Sequence, residues 1–371
     1  MTRPRVVLVR GHQANPWDLR PWEELSERFD VTALVTASNL FDTKPLRLSK
    51  ARVRALSDLA PPGRLRRFAA RAPVNRYLGL REHVVDADIV HAAEIYPWWS
   101  LQAAAQKRRG GYRLVLTVWE TIPFIESYRN VLSRPYRRRI LERADLFLAA
   151  TERARDALQL EGVAAEKIEV SPPGVDLERF APGQAQAREH LILSVGRLVW
   201  EKGHQDILRA LAVLRGDAIA TRALIVGVGP EERRLRDHAH ELGLADVVEF
   251  RRHVAHDDMP AVYAGASCLV LASLPTPSWE EQFGMVLVEA MAAGLPIVAS
   301  TCGAIPEVAG PSAAYFAPGD WRGLARVLAD RPLASPAGTR ADHPAERVEQ
   351  FSSSAAAARL ARAYDRVLAR R

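Results

Sequence analysis

The chain has 371 residues, 48% apolar and 26% charged, with a formal net charge of +7, a balance that suits two ordinary globular domains and excludes a disordered or collagen-like chain. Its two cysteines, Cys268 and Cys302, are too few for a metal cluster and point to a reduced, cytoplasmic protein. No apolar run approaches a membrane span, and Met1-Thr-Arg-Pro-Arg5 leads straight into a strand, so an unsecreted protein is expected.

In chain order, Arg5-Val-Val-Leu-Val-Arg10 reads as a buried strand, and Gly11-His-Gln-Ala-Asn-Pro-Trp-Asp18 as the loop into a helix around Trp22 to Arg28. Loops at the carboxyl ends of strands line the ligand crevice of an open α/β sheet. Gly11, His12, Asn15 and Trp17 are therefore acceptor contacts or members of an ordinary polar loop. Asp30 to Thr36 is the second strand. Residues 44–81 hold eleven Lys+Arg and one acid, Asp58, with Val53, Leu56, Leu59, Leu65 and Phe68 at helix-like intervals. That pattern predicts one or two amphipathic basic helices, either a solvated face or a contact for an anionic membrane surface.

Asp88-Ile-Val-His-Ala-Ala-Glu-Ile-Tyr-Pro97 is a strand and crevice loop carrying His91 and Glu94. Arg113 to Glu120 is another strand ending in a carboxylate, and Asp145 to Thr151 a third, followed by a helix through Leu160. Strands alternating with helices predict a parallel, doubly wound sheet. The Pro/Gly-rich stretch Ser171-Pro-Pro-Gly-Val-Asp-Leu-Glu-Arg-Phe-Ala-Pro182 marks a domain boundary near residue 180.

The pattern then restarts. His190 to Arg197 is a buried strand running into Leu198-Val-Trp-Glu-Lys-Gly203, and Arg222 to Val226 a second, with the turn Gly227-Val-Gly229 opening a helix. A lone Gly-x-Gly is weak evidence for a dinucleotide site, and the chain has no Walker-type Gly-Lys-Ser/Thr. Asp246 to Val254 carries a strand into a loop with His253, and Ala266 to Ser273 leads into Pro277-Ser-Trp-Glu-Glu-Gln-Phe-Gly-Met-Val-Leu-Val-Glu-Ala-Met-Ala-Ala-Gly-Leu-Pro-Ile-Val-Ala-Ser300. That stretch reads as a polar loop, a helix from about Gly284, a Gly-Leu-Pro break and a buried strand. A long alanine-rich helix, about 354–371, closes the chain.

Arg197 and Lys202 put a planar fork and a point charge where a diphosphate would cross a strand-end loop. Breaking a sugar–phosphate bond adds negative charge to the departing diphosphate, so fixed cations there favour the transition state. Glu281 and Glu289 flank a helix start whose free N–H groups suit the same anion. Salt bridging of either cation to Glu201 is the structural alternative.

The spacing Glu281-x7-Glu289, with Asp88-Ile-Val-His, Pro172-Pro-Gly-Val-Asp, Gly196-Arg through Glu201-Lys-Gly and Val226-Gly-Val-Gly-Pro, resembles the family 4 retaining glycosyltransferases of the GT-B fold, over nearly the whole chain. The resemblance implies two Rossmann-like doubly wound domains, 1–180 and 181–353, facing a central cleft, with the terminal helix returned to the first. It implies retaining, metal-independent transfer of a hexose from a UDP-, GDP- or ADP-sugar to a saccharide or lipid-linked acceptor, without a cofactor, in envelope polysaccharide or glycolipid synthesis; the basic stretch 44–81 motivates a cytoplasmic enzyme peripheral to the inner face of the membrane. Arg197 and Lys202 would then hold the diphosphate, Glu289 the ribose, and Glu281 with the Phe283-Gly284 backbone the donor sugar. Gln282, Met285, Val286, Gly227, Gly229 and His253 would complete the donor site.

Many family members carry a His after the Asp-x-x-His strand where Ala93 stands here, which leaves His91, Glu94 and Glu120 as alternatives for the first-domain contact, Glu120 as an acceptor base among them. Asp86-Ala-Asp88 matches a metal-binding Asp-x-Asp, but it introduces a buried strand instead of closing one, and no metal is assigned. A nucleotide-sugar 2-epimerase of the same fold would convert or cleave donor alone. A non-catalytic basic binding protein for a membrane is the remaining class, and no nucleic-acid module is present.

Overall fold

The computed structural model describes residues 2–72, 75–125, 134–181, 189–252 and 254–369. The chain divides into two compact units, Met1–Val175 with Phe351–Arg371, and Asp176–Gln350.

The first unit holds strands β1 (Arg5–Val9), β2 (Asp30–Val35), β3 (Ser49–Arg52), β4 (Arg54–Ala55), β5 (Tyr77–Leu78), β6 (Ile89–Ala93), β7 (Arg113–Val118), β8 (Leu146–Ala149) and β9 (Ile168–Val170). Seven of them form one parallel sheet in the order β3-β2-β1-β6-β7-β8-β9, while β4 and β5 pair antiparallel beside it. The central strands are continuous apolar runs because helices cover both faces. One face is covered by the terminal helix Ser353–Ala369, which contributes Ala357, Leu360, Ala361, Tyr364 and Val367 to the core. The two crossings of the chain are tied together, the Val175 N–H donating to the Phe351 carbonyl at 2.7 Å and the Ser353 N–H to the Val175 carbonyl at 3.0 Å. A side chain at Gly174 would collide with Pro21, Ser353 and Ala356, so the linker needs its glycine for close approach.

The basic stretch 44–81 departs from the predicted helices. It forms the edge strand β3, the β4–β5 pair, a 3-10 turn at Leu56–Leu59, and a single α-helix of two turns, Arg64–Ala70, before a second short helix opens at Leu80. Pro61-Pro-Gly63 stops any longer helix, and Lys50 and Arg52 give β3 the exposed charges that keep a sheet edge from pairing further. The predicted helix Trp22 to Arg28 is likewise only Arg20–Glu23 followed by turns.

The second unit holds β10 (Leu191–Val195), β11 (Arg222–Val226), β12 (Val248–Arg251), β13 (Cys268–Leu271), β14 (Ile297–Ser300) and β15 (Ala314–Phe316), all parallel, in the order β12-β11-β10-β13-β14-β15. Numbered within the unit this is 3-2-1-4-5-6, the doubly wound order in which ligands bind beyond the carboxyl ends of strands 1 and 4. Cys268 and Cys302 are free and buried.

Candidate active site

In the second unit the loops after β10 and β13 meet at that switch point. After β10 the chain runs Gly196-Arg-Leu-Val to a 3-10 turn, Trp200–Lys202, and Gly203 then opens the helix His204–Gly216. Gly203 has φ +67, and a Cβ there would sit 1.8 Å from the Ala272 carbonyl oxygen at the end of β13. Glycine alone lets the two loops close on each other. The Gly227-x-Gly229 turn after β11 serves the same end. A Cβ on Gly227 would meet the Gly196 carbonyl, one on Gly229 the Leu198 carbonyl, and the Leu198 N–H donates to the Val228 carbonyl at 3.0 Å. This turn, a donor contact by the family resemblance, seats the Arg197 loop.

Lys202 Nζ donates to Glu281 Oε2 at 2.6 Å, and the Ser273 hydroxyl donates to the same oxygen at 2.7 Å. The predicted alternative, a bridge to Glu201, is not formed. Lys202 also stands 5.0 Å from the Trp279 ring centroid. Glu281 is 6% exposed, and its backbone is clamped by the Ala304 N–H on its carbonyl at 2.8 Å. Two side chains separated by 79 positions, each singled out from the sequence, thus form one ion pair. Arg197 is exposed, and its guanidinium has no hydrogen bond or ion pair among the described residues. Its backbone is held instead: His204 Nε2 lies 3.2 Å from the Arg197 carbonyl and His204 Nδ1 3.1 Å from the Ser194 hydroxyl. Burial pushes His204 down to about 4, with Lys202 acting in the same sense and the Arg197 carbonyl against it. The imidazole is therefore neutral, one nitrogen donating to the Arg197 carbonyl while the other accepts from Ser194. Sequence reading missed His204; its place directly after the Lys202-Gly203 corner was the available signal.

Gly284 caps the helix Met285–Ala292 with φ +81, so the free N–H groups of Met285 and Val286 begin it. Phe283 is 2% exposed. Gln282 precedes it, half-buried. Glu289 stands one turn inside the helix, half-buried, and its Oε2 accepts the Tyr263 hydroxyl. Burial raises its pKa, opposed by that bond and by Arg179. His253 lies outside the described residues.

In the first unit, Gly11 N–H donates to the Tyr77 hydroxyl at 2.7 Å, and the space beside Gly11 is taken by the Trp99 ring. His12 is buried with its ring edge-on to Trp99 at 5.4 Å. Asn15, expected to face an acceptor, folds its own loop: Oδ1 accepts the Asp18 N–H at 2.8 Å and Nδ2 donates to the Asp18 carboxylate. Trp17 is 42% exposed.

His91 is a correction. It is fully buried on β6, with Nδ1 2.6 Å from the Tyr364 hydroxyl and Nε2 2.8 Å from the Thr117 hydroxyl. The Trp22 indole N–H donates to Tyr364 at 2.7 Å, so the Tyr364 proton goes to His91 Nδ1 and His91 donates through Nε2. Burial, with Arg10, holds this imidazole neutral. It joins sheet to terminal helix and has no face left for an acceptor. Its partner stands 273 positions away, beyond what local pattern reveals.

Glu120 closes β7 and turns back on its own loop, Oε1 accepting the N–H groups of Thr121 at 3.0 Å and Ile122 at 2.9 Å. Glu94 follows β6 in the left-handed region at φ +64, a conformation costing a non-glycine residue of order 1–3 kcal/mol. Its Oε1 accepts the Trp119 N–H at 2.9 Å. Asp88, at the opposite end of β6, accepts the Arg5 N–H at 2.9 Å, and Asp86 pairs with the Arg5 side chain. The Asp-x-Asp thus sits at the amino end of the sheet, away from the ligand-binding ends.

Two units each wound as a parallel Rossmann-like sheet, the second carrying cations at its switch point, define the GT-B class of glycosyltransferase folds. The solved structure of HepE from Anabaena, in complex with UDP and glucose, superposes over 98% of this chain and 100% of that one with a TM-score of 0.74 at 18% identity, a likeness of fold. The family described as "Glycosyl transferases group 1" matches residues 177–333, and "Glycosyltransferase Family 4" matches residues 23–179. An MMP α-(1→4)-mannosyltransferase of Mycolicibacterium hassiacum is 29% identical over 99% of this chain and 93% of its own length. A GDP-mannose-dependent α-(1-6)-phosphatidylinositol monomannoside mannosyltransferase of Mycobacterium tuberculosis is 33% identical over 51% of this chain, and that match spans half of its length. The chain belongs to glycosyltransferase family 4, group 1, and is a glycosyltransferase.

Proposed function

We propose that this enzyme transfers a hexose from a nucleoside-diphosphate sugar to a saccharide or lipid-linked acceptor, with retention of anomeric configuration and without a metal. The observation that carries the reading is the Lys202–Glu281 pair, with Arg197, unpaired among the described residues, in the same loop at the switch point of the second sheet. Lys202 spends one of its three N–H groups on Glu281, and the charge of Glu281 keeps the ammonium in place. Arg197 presents a guanidinium on a backbone fixed by His204. Together they offer a diphosphate two cations, and their effect grows as the sugar–phosphate bond breaks and charge collects on the leaving oxygen. The first turn after Gly284 supplies N–H donors to the same anion. Glu281 would then face the donor sugar, and Glu289, braced by Tyr263, the ribose. A phosphate oxygen of the donor takes the acceptor proton.

The base and sugar are open between the UDP bound by HepE and the GDP-mannose used by the mycobacterial relative. Incubation with UDP-glucose or GDP-mannose and methyl α-D-mannopyranoside, with and without EDTA, is followed by proton NMR of the product. An α-glycoside from an α-donor at an undiminished rate in EDTA is expected. An inverted product would remove the retaining mechanism, metal rescue the metal-free one, and rapid conversion of donor alone would favour an epimerase.

The first unit supports a peripheral membrane location. Leu59, Leu65 and Phe68 are 58%, 65% and 79% exposed, and Arg64, Arg66, Arg67 and Arg71 are sequence neighbours of the last two. Exposed apolar side chains in an arginine-rich stretch fit an anionic leaflet, and no helix among the described residues is long and apolar enough to cross one. Leu65→Ser with Phe68→Ser is expected to weaken flotation with phosphatidylglycerol vesicles by about tenfold or more, leaving phosphatidylcholine vesicles unbound throughout. Equal flotation of variant and wild type would refute the contact.

A further inference from the structure

The first sheet brings the ends of β1, β6 and β7 side by side. In the loops and helix start that follow them, four buried polar atoms have no hydrogen-bond partner among the described residues: His12 Nδ1, Glu94 Oε2, Trp99 Nε1 and Thr121 Oγ1. Buried polar atoms are nearly always paired, and a cluster of exceptions calls for an explanation, of which a partner that arrives from outside is one. Of these atoms, Glu94 Oε2 and His12 Nδ1 belong to groups that can move a proton or hold one. His91 has both nitrogens engaged, and Glu120 has turned one oxygen to two amides of its own loop. Glu94 also holds a left-handed backbone that a glycine would adopt more easily, at the β1/β6 switch point where sheets of this order bind ligands. A merely structural acid needs neither feature.

We propose that Glu94 is a further substrate-binding residue, its Oε2 hydrogen-bonding a sugar hydroxyl in the first unit. The inference rests on the sugar-transfer reading above. Oε1 accepts the Trp119 N–H, so a proton on this carboxyl belongs on Oε2, where it is donated to the hydroxyl oxygen. Burial pushes the Glu94 carboxyl up to about 8, and the neighbouring Glu120 acts in the same sense, while the Trp119 and Glu120 amides and the Arg137 guanidinium pull it down. Arg10 is the other charged group facing it. At neutral pH the group is an acid that donates; as pH rises through about 8 the proton leaves and the donor is lost. The hydroxyl could belong to the transferring sugar or to the acceptor, and the kinetics separate the two.

The test is turnover of the full chain with UDP-glucose and GDP-mannose, with and without methyl α-D-mannopyranoside, from about pH 6 to pH 10. Glu94→Ala is expected to lower kcat/KM by about 100-fold or more. Glu94→Gln, which keeps a neutral N–H donor, is expected to stay within about tenfold at pH 7 and to lose the fall in rate that the wild type shows above pH 8. A defect present in hydrolysis without acceptor assigns the hydroxyl to the donor sugar; a defect confined to transfer, with a raised acceptor KM, assigns it to the acceptor. Affinity for UDP and GDP stays unchanged in both variants. Wild-type kinetics in Glu94→Ala, an alkaline fall retained in Glu94→Gln, or nucleotide affinity lost along with activity would overturn the proposal. Should Glu94→Ala fail to fold, the pH profile of Glu94→Gln decides alone. An error in the donor-site reading shows elsewhere, as full activity in Arg197→Ala with the Glu94 limb intact.

Discussion

Arg197→Ala is expected to reduce sugar transfer by about 100- to 1,000-fold, the scale of removing one preorganised donor from a developing oxyanion. The loss should fall mainly on kcat, because the guanidinium matters most when the diphosphate carries its full departing charge. The exposed side chain has no partner among the described residues, so the melting temperature should not move. Arg197→Lys is expected to recover only part of the activity, since an ammonium cannot span two phosphate oxygens. Lys202→Ala is a less clean probe: it strands Glu281, 6% exposed, and breaking a buried pair costs about 3–5 kcal/mol by itself. Steady-state kinetics beside a thermal melt separate these effects, and Arg197→Ala with wild-type turnover would remove the residue from the site.

Gly203→Ala is expected to be among the most damaging single methyl groups in the second unit. The new carbon would lie 1.8 Å from the Ala272 carbonyl oxygen at a backbone φ of +67. Overpacking of this kind costs about 1–3 kcal/mol and more when the obstacle is backbone, and the left-handed conformation adds about 1 kcal/mol. A loss of roughly 10 °C in melting temperature follows for a unit of this size. Gly243→Ala is the control, with φ +68 and nothing within 4 Å of the added carbon; about 3 °C is expected. Calorimetry of both variants checks the pair. Equal shifts would mean that the loops after β10 and β13 do not press together as described.

Much of this was legible in the sequence, for a physical reason. A parallel strand covered on both faces must be an apolar run, so Arg5–Val9, Arg113–Val118, Leu191–Val195, Cys268–Leu271 and Ile297–Ser300 announce themselves. Edge strands do not. Ser49–Arg52 is charged because an edge must resist further pairing, and the same charges with scattered leucines read as an amphipathic helix. Ala314–Phe316 is too short to show a period. At the candidate site, residue types revealed Lys202, Glu281 and Arg197, but the 2.6 Å pairing of the first two spans two loops and is visible only in the fold. His91 illustrates the opposite case: a histidine at a strand end looks like a ligand until Tyr364, from the last helix, takes its nitrogen. Glu94 stood among three alternatives, and its left-handed backbone and unpaired oxygen separate it from the other two.

Calorimetric titration of the wild-type chain with UDP and with GDP at two salt concentrations measures the donor site itself. The expected result is saturable one-to-one binding of one of the two, preferred over the other, with affinity lowered about tenfold or more in Arg197→Ala. Equal, weak binding of both nucleotides that vanishes with added salt and ignores Arg197 would show a merely electrostatic surface, and would contradict the assignment of a diphosphate to the Arg197–Lys202 loop.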